Sequence, residues 1–213
     1  MKNNNTSQRM VSRNYLIFLS IISLWLFIVL GTFRTYLVLG GSEAPTIMSG
    51  DKVIINRSAY DVTLPFTSRK LVSFQDPVRG DLVLCIIPEA RSADYWIKRV
   101  IGLPGDTIEI KNNRLVINGI TPDYLNIESG CAFSMNIPPK SRIFLEKGLG
   151  LHNTVTCGTD GNFYSEFGPV VVEQRHYFVL GDNRVKSMDS RIFGSVPREC
   201  IFGKYLLRIS GKR

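Results

Sequence analysis

Histidine and closely spaced cysteine are scarce in this chain of 213 residues, which holds two histidines and four cysteines. No C-x-x-C spacing occurs and the histidines stand far apart, so a zinc site is not expected. Internal repeats and low-complexity tracts are also absent, which argues against a repeat array. Hydrophobic residues make up 44% and charged residues 21% of the chain, and this balance excludes collagen-like and fully disordered proteins. One globular domain is the starting expectation.

The four cysteines stand at positions 85, 131, 157 and 200. Cys131 and Cys157 fall in a loop-rich segment, where an oxidising compartment would let them form a disulfide. Cys85 lies in an apolar run and Cys200 precedes Ile201, so both are expected to be small buried hydrophobic residues. Four cysteines allow three complete pairings, and the sequence does not select one of them.

Acidic residues are missing from the first 33 positions, and this segment predicts the compartment. Residues 1–14 carry Lys2, Arg9 and Arg13, and residues 15–33 form an uncharged apolar run of 19 residues. As a helix rising about 1.5 Å per residue, the run would span roughly 28 Å, close to the hydrocarbon thickness of a bilayer. We therefore expect an uncleaved transmembrane anchor, with removal as a secretory signal as the alternative. The positive charge predicts a cytoplasmic N-terminus, with residues 34–213 outside the membrane.

Short apolar stretches separated by turn residues follow the anchor and predict strands at residues 52–55, 81–87, 107–110, 115–117, 177–180 and 205–209. A hairpin is expected where residues 111–114 connect two of them, because Asn112 and Asn113 tolerate positive φ. No convincing helical period follows residue 34, so we expect a mainly β domain that closes into a barrel-like or folded-over sheet. Residues 120–172 are rich in glycine and proline and predict a loop-rich insertion.

The net charge favours acidic partners. The chain has 26 Lys+Arg against 18 Asp+Glu, a formal charge of +8, and a pI near 9.5. Phospholipid head groups and nucleic acid both fit such a charge. Nucleic acid is disfavoured, because the basic residues are scattered and because a nucleic-acid binder would not explain the anchor. Membrane lipid is the expected partner.

A lysine inside an apolar stretch is the first candidate for chemistry. Lys98 follows Trp96 and Ile97, and burial there disfavours the ammonium form, so the amine would be neutral near physiological pH, as a general base requires. The alternative is a lysine whose stem packs on the sheet while its head reaches water. Ser42, which follows two glycines just after the anchor, is the candidate nucleophile, although a lone serine in such a loop is usually a turn residue.

Four blocks of sequence together resemble the bacterial type I signal peptidase family. They are S-x-x-P-T at residues 42–46, R-G-D at 79–81, K-R-V-x-G-L-P-G-D at 98–106, and G-D-N-R-x-x-S-x-D-S-R at 181–191. Taken alone, the last block could be a solvated turn with weak surface ion pairs. The resemblance covers most of the chain from the anchor to about residue 205, with residues 120–172 as the variable part.

The resemblance implies a membrane-bound serine endopeptidase that cleaves signal peptides from exported preproteins at the outer face of the bacterial inner membrane. It implies that Ser42 attacks the scissile carbonyl, that Lys98 takes its proton, and that Ser187 orients Lys98 by a hydrogen bond. Three further residues would hold the last block against this dyad: Asp182, Asp189 and Arg191. No metal or organic cofactor is expected. The insertion is expected to form a second, smaller β region, and apolar surface near the site is expected to touch lipid.

Glu43 departs from the family pattern, which usually has methionine directly after the serine. A carboxylate there could repel the oxyanion that develops during acyl transfer, and Gly40 offers no hydroxyl to help stabilise it. Two alternatives stay open. One is a peptidase dedicated to one substrate, such as the pilin precursor of a conjugation system. The other is a membrane-anchored β domain that binds exported peptides without cutting them, although the presence of Ser42, Lys98 and Ser187 together argues against it.

Overall fold

The computed structural model describes residues 3–88, 94–127, 142–151, 154–158 and 166–209. A long helix, α1 (Asn3–Thr32), precedes a mainly β domain, as the sequence predicts. The strands of that domain are β1 (Phe33–Leu37), β2 (Lys52–Asn56), β3 (Asp61–Thr63), β4 (Lys70–Ser73), β5 (Leu82–Ile86), β6 (Tyr95–Gly102), β7 (Thr107–Lys111), β8 (Arg114–Ile117), β9 (Asp123–Ile127), β10 (Arg142–Lys147), β11 (Thr154–Gly158), β12 (Phe167–Val171), β13 (His176–Leu180), β14 (Val196–Pro197) and β15 (Ile201–Ile209).

The apolar helix α1 packs little against the rest of the chain. Its segment Asn14–Thr32 is long and apolar enough to cross a membrane, and side chains such as Trp25 are exposed. Exposed apolar surface on this scale is unfavourable in water, so the helix is compatible with a membrane anchor. It ends at Thr32, one residue before the predicted end, because Phe33 already pairs with Asn56 of β2.

A seven-stranded antiparallel sheet organises the domain, in the order β1-β2-β15-β5-β6-β13-β14. It curls into a half-barrel, as expected for a folded-over sheet. Successive side chains of a strand point to opposite faces of the sheet. Trp96 and Val100 of β6 therefore pack into one core cluster, which also contains Val83 and Tyr177. Ile97, on the other face of β6, packs into a second cluster. The strand β6 thus has both faces covered along much of its length.

Each predicted strand overlaps an observed strand, and the predicted strand 81–87 extends one residue beyond β5 at either end. The predicted hairpin joins β7 to β8, and Asn112 and Asn113 adopt φ of 50° and 63° at its turn. The strand β6 was not predicted, since Lys98 and Arg99 interrupt its apolar run; both residues are nevertheless buried. The prediction also contained no helix after residue 34, whereas a four-residue helix, α2 (Ser190–Phe193), is present.

Residues 120–172 contain more regular structure than their composition suggests. The strands β9, β10 and β11 form a three-stranded sheet, and β12 pairs with β7 in another. The boundaries of the insertion stay a prediction. Cys131 lies outside the described residues, so its disulfide with Cys157 stays a prediction.

The two other cysteines behave as small apolar residues to different extents. Cys85 is a free, fully buried thiol within the core. Burial raises its pKa to about 12, so the unreactive thiol form prevails. Cys200 is only half-buried, because it ends a single turn of 3₁₀ helix (Arg198–Cys200) at the start of β15. The prediction of a buried hydrophobic residue is therefore confirmed for Cys85 alone.

Candidate active site

Ser42 lies in the loop between β1 and β2, and residues of the last block hold its backbone in place. The backbone N–H of Asn183 donates to the carbonyl of Ser42 at 2.9 Å, and the Asn183 side-chain amide donates to the carbonyl of Gly41 at 3.1 Å. A Cβ added to Gly40 or to Gly41 would meet no atom within 4 Å. The loop therefore leaves open space just before the serine.

Lys98 projects from β6 toward this serine. Its side chain is fully buried, on the same face of the strand as Trp96 and Val100. The amine of Lys98 therefore does not reach water, in contrast to the alternative in which the end of this side chain is solvated. The Nζ atom lies 2.6 Å from the Oγ atom of Ser42. The structure thus brings together two side chains that are 56 positions apart in the sequence, at a distance that permits direct proton transfer.

Glu43 is the unexpected third member of this cluster. Only 2% of the residue is exposed, and its Oε1 atom accepts hydrogen bonds from Lys98 Nζ at 3.0 Å and from Ser42 Oγ at 3.1 Å. Burial raises the pKa of Glu43 to about 7, against an opposing effect of the positive charge of Lys98. The sequence predicts that this carboxylate lies beside the nucleophile, but it does not predict the contact with Lys98.

Three oxygen atoms surround the amine of Lys98. Besides Ser42 and Glu43, its Nζ atom lies 3.1 Å from the carbonyl oxygen of Ile97. An ammonium group has three N–H donors and no lone pair, and these three oxygen atoms satisfy all three donors. The site can therefore accommodate a lysine ammonium in an ion pair with Glu43.

Ser187 lies next to the nucleophile loop without bonding to the lysine. Its Oγ atom is buried and has no hydrogen-bond partner among the residues that the structure describes. A Cβ added to Gly181 would lie 2.3 Å from this Oγ atom and 2.5 Å from the carbonyl oxygen of Ser42. Only glycine at position 181 allows the last block and the nucleophile loop to approach so closely. An orienting bond from Ser187 to Lys98 stays a prediction.

Asp182 connects three segments of the site. Both of its oxygens accept hydrogen bonds from the guanidinium of Arg99, at 2.7 Å and 2.6 Å, and one oxygen also accepts from the hydroxyl of Thr46. Arg99 follows Lys98 on β6, and Thr46 belongs to the loop of Ser42. This fully buried carboxylate therefore fixes the strand of the lysine relative to the loop of the serine.

Asp189 and Arg191 stabilise the last block internally. Asp189 accepts from the backbone N–H of Gly181 at 3.1 Å and from Nε of Arg191 at 2.7 Å. Arg191 in turn donates to the carbonyl of Arg184 at 2.8 Å. These bonds close residues 181–191 into a compact turn, and the supporting role of Asp189 and Arg191 in catalysis stays a prediction.

Comparison with known proteins identifies the family. The family model described as "Signal peptidase, peptidase S26" matches residues 11–210. The chain belongs to this family. The match includes Ser42, Lys98 and the whole of the last block, so the resemblance drawn from the four sequence blocks is confirmed.

The relatives are signal peptidases from several bacteria. A signal peptidase I of Pseudomonas fluorescens is 33% identical over 197 residues, covering 84% of this chain and 66% of that protein. A signal peptidase I P of Bacillus subtilis subsp. natto is 33% identical over 160 residues, covering 75% of this chain and 66% of that protein. The chain thus spans just under two thirds of the length of these S26 relatives.

A crystal structure of a signal peptidase I from Enterococcus faecalis also matches. It is 27% identical and covers 62% of this chain and 98% of that chain, with a TM-score of 0.37. Membership of the S26 family rests on the sequence matches.

Proposed function

We propose that this protein is a membrane-anchored serine endopeptidase that cleaves signal peptides from exported preproteins, with Ser42 as nucleophile and Lys98 as general base. The observation that carries the proposal is the distance of 2.6 Å between Lys98 Nζ and Ser42 Oγ, with the lysine fully buried. A serine hydroxyl is a weak nucleophile until an adjacent base takes its proton. The signal peptidases among its relatives support the choice of substrate.

The reaction follows from these two groups. The Ser42 oxygen attacks the scissile carbonyl carbon while its proton passes to the neutral amine of Lys98. The resulting ammonium then protonates the leaving amine, the peptide bond breaks, and the signal peptide remains as an ester on Ser42. Water attacks this ester, again with Lys98 accepting a proton, and the serine is released.

Glu43 restrains this reaction in our proposal. The lysine must be neutral to accept a proton, but an ionised carboxylate 3.0 Å away stabilises its ammonium form. The same carboxylate accepts a hydrogen bond from the hydroxyl of Ser42 at 3.1 Å. This bond points the hydroxyl proton away from the amine of Lys98. Glu43 therefore holds the pair in a resting state, and neutralisation of Glu43 favours the reactive one.

The membrane placement rests on the N-terminal segment. Lys2, Arg9 and Arg13 precede the apolar helix, and no acidic residue accompanies them. By the positive-inside rule, this arrangement supports an inner-membrane protein with residues 1–14 in the cytoplasm and residues 34–213 outside. The site would then lie on the side of the membrane where signal peptides emerge.

Cleavage of a preprotein by matched variants tests the proposal. The full chain, purified in non-ionic detergent, is incubated with a preprotein that carries a secretory signal peptide. We expect Ser42→Ala and Lys98→Ala each to remove nearly all cleavage, and the double variant to lose little more, because the two groups act as a unit.

Ser49→Ala is the matched control. Ser49 is an exposed serine of the same loop, and its hydroxyl donates to the carbonyl of Leu39. This variant should cleave like the unmodified protein. Full cleavage by either dyad variant, with its fold shown to be intact, would disprove the assignment.

The ion pair of Lys98 also favours a second candidate function. Pairing with Glu43 disfavours the neutral amine that a base requires, and a domain that binds exported peptides without cutting them has no need of a base. Peptide binding without cleavage by the unmodified protein, over the whole pH range in which it is folded, would establish this second function. A pilin-precursor peptidase instead predicts cleavage of one preprotein and not of others.

A further inference from the structure

A cleft of about 400 Å³ lies where the apolar helix joins the sheet, away from Ser42 and Lys98. Arg34 and Tyr36 of β1 line it together with Arg57, Phe66, Ser68 and Tyr95. Among the described residues, none of those that line it is acidic. The backbone N–H of Arg57 donates to the last carbonyl of α1, at Thr32, at 2.8 Å. The cleft is therefore fixed to the end of the helix.

Arg57 lacks the partner that other buried arginines have. Arg99 and Arg198 are comparably buried, and each binds a carboxylate, at 2.6 Å and 2.8 Å. Arg57 is 5% exposed, yet within the described part of the chain it forms no ion pair, and its Nε atom has no hydrogen-bond partner. A buried guanidinium without an anion is strongly unfavourable.

The bonds that Arg57 does form are weak. Its two terminal nitrogens contact the hydroxyl of Tyr36 at 3.4 Å and that of Ser68 at 3.3 Å, beyond the usual range of N–H···O distances. The ring faces of Tyr95 and Phe202, each 5.8 Å away, support the charge only partly. The five N–H donors of this side chain are thus poorly satisfied.

A second arginine in the cleft has the same deficiency. Arg34 is half-buried, stacks over the ring of Phe66 at 5.1 Å, and has a buried Nε atom without a partner among the described residues. Two guanidinium groups in one cleft repel each other unless an anion lies between them. Hydroxyl groups of Tyr36, Ser68 and Tyr95 add neutral donors around the same space.

We propose that this cleft binds a phosphate group, carried either by an anionic phospholipid or by a soluble phosphate. Arginine pairs are suited to phosphate because the planar guanidinium donates two parallel hydrogen bonds to its oxygens. The lipid source is favoured by position: β1 starts directly after Thr32, where the membrane-compatible segment ends. A phosphate at this point would lie at the depth of the lipid headgroups and would fix the orientation of the domain on the membrane.

Lipid retention by the full chain tests the proposal without any peptide substrate, so its result is independent of the proposed peptidase activity. The protein in non-ionic detergent is titrated with phosphatidylglycerol or with zwitterionic phosphatidylcholine and examined by native mass spectrometry. We expect one phosphatidylglycerol to be retained in preference. Arg57→Gln and Arg34→Gln should each weaken this retention by about tenfold or more, the effect of losing a charged hydrogen bond.

Arg69→Gln is the matched control, because Arg69 is exposed and does not line the cleft, although it follows the lining residue Ser68 on the connection between β3 and β4. It should retain lipid like the unmodified chain. Arg57→Lys keeps a positive charge and tests binding if Arg57→Gln does not fold.

A second experiment measures the unfolding temperature of the protein with and without inorganic phosphate. A rise that Arg57→Gln abolishes, without any lipid preference, would assign the site to soluble phosphate and reject the lipid source. The proposal would be overturned if the unmodified chain and the Arg34 and Arg57 variants all bound phosphatidylglycerol equally well and all responded equally to inorganic phosphate.

Discussion

Replacement of Glu43 by glutamine should change how stability depends on pH. Glutamine keeps the size of the side chain and a carbonyl acceptor for the bonds from Lys98 and Ser42, but it cannot ionise. In the native protein the carboxylate is buried, and its second oxygen, Oε2, has no partner among the described residues. An ionised carboxylate in this position is costly, whereas a protonated one is not.

The magnitude follows from the pKa of Glu43, which burial raises from 4.5 to about 7. Between these two values the folded protein keeps a proton that the unfolded chain loses, so stability falls as the pH rises. The contribution of the proton is fully present below about pH 4.5 and is lost once the pH exceeds the folded value. At 1.36 kcal/mol per pH unit, the loss amounts to about 3 kcal/mol.

Urea unfolding in non-ionic detergent measures this effect. The chain has two tryptophans, and Trp96, beside Lys98 on β6, reports on the β domain. The free energy of unfolding of the unmodified protein, relative to Glu43→Gln, should fall by about 3 kcal/mol between pH 4 and pH 8. Glu173→Gln, which alters an exposed carboxylate, should leave the curve unchanged. A difference between native protein and Glu43→Gln that stays constant across this range would refute the buried, titrating carboxylate.

Three further predictions concern catalysis and the supporting residues. Glu43→Gln should raise kcat/KM at neutral pH, because it removes the carboxylate that pairs with Lys98. A loss of activity would mean that Glu43 is required as a proton acceptor. Ser187→Ala removes a buried hydroxyl without a partner among the described residues. The free energy of unfolding should therefore be unchanged or rise by about 1–2 kcal/mol, while kcat/KM falls. An unchanged pH–rate profile would exclude an orienting role for Ser187. Asp182→Asn should cost about 3–5 kcal/mol in the same unfolding assay, because Arg99 is left buried and unpaired. Asp76→Asn, at an exposed ion pair, should cost under about 1 kcal/mol, and equal costs for the two would contradict the bridging role of Asp182.

The fold was predictable from sequence where a simple pattern carries the information. Runs of alternating or continuous apolar residues predicted the strands on either side of Asn112 and Asn113, and the turn between them follows from the tolerance of asparagine for positive φ. The strand β6 escaped prediction because Lys98 and Arg99 interrupt its apolar run. Charges at such positions are tolerated only where partners distant in the sequence neutralise them, and a one-dimensional pattern does not show those partners.

The candidate site was predictable as a set of residues but not as an ionic arrangement. The four blocks predicted Ser42, Lys98 and the final segment, and the fold brings them together. The sequence also identified Glu43 as unusual, yet only the folded chain shows its carboxylate in contact with Lys98. The pairing of Arg99 with Asp182 was similarly hidden, although both residues lie inside the recognised blocks. Opposite charge within two such blocks is a signal that could have suggested this pairing.

The central claim is that Ser42 and Lys98 cut a preprotein at its signal-peptide junction. The most direct measurement is incubation of the purified full chain with a preprotein whose signal ends in an A-x-A pattern, followed by mass spectrometry of the new N-terminus. We predict a single new N-terminus directly after the last alanine, absent when Ser42→Ala replaces the unmodified chain. An intact preprotein over the whole pH range in which the enzyme is folded, or the same new N-terminus with Ser42→Ala, would contradict the account.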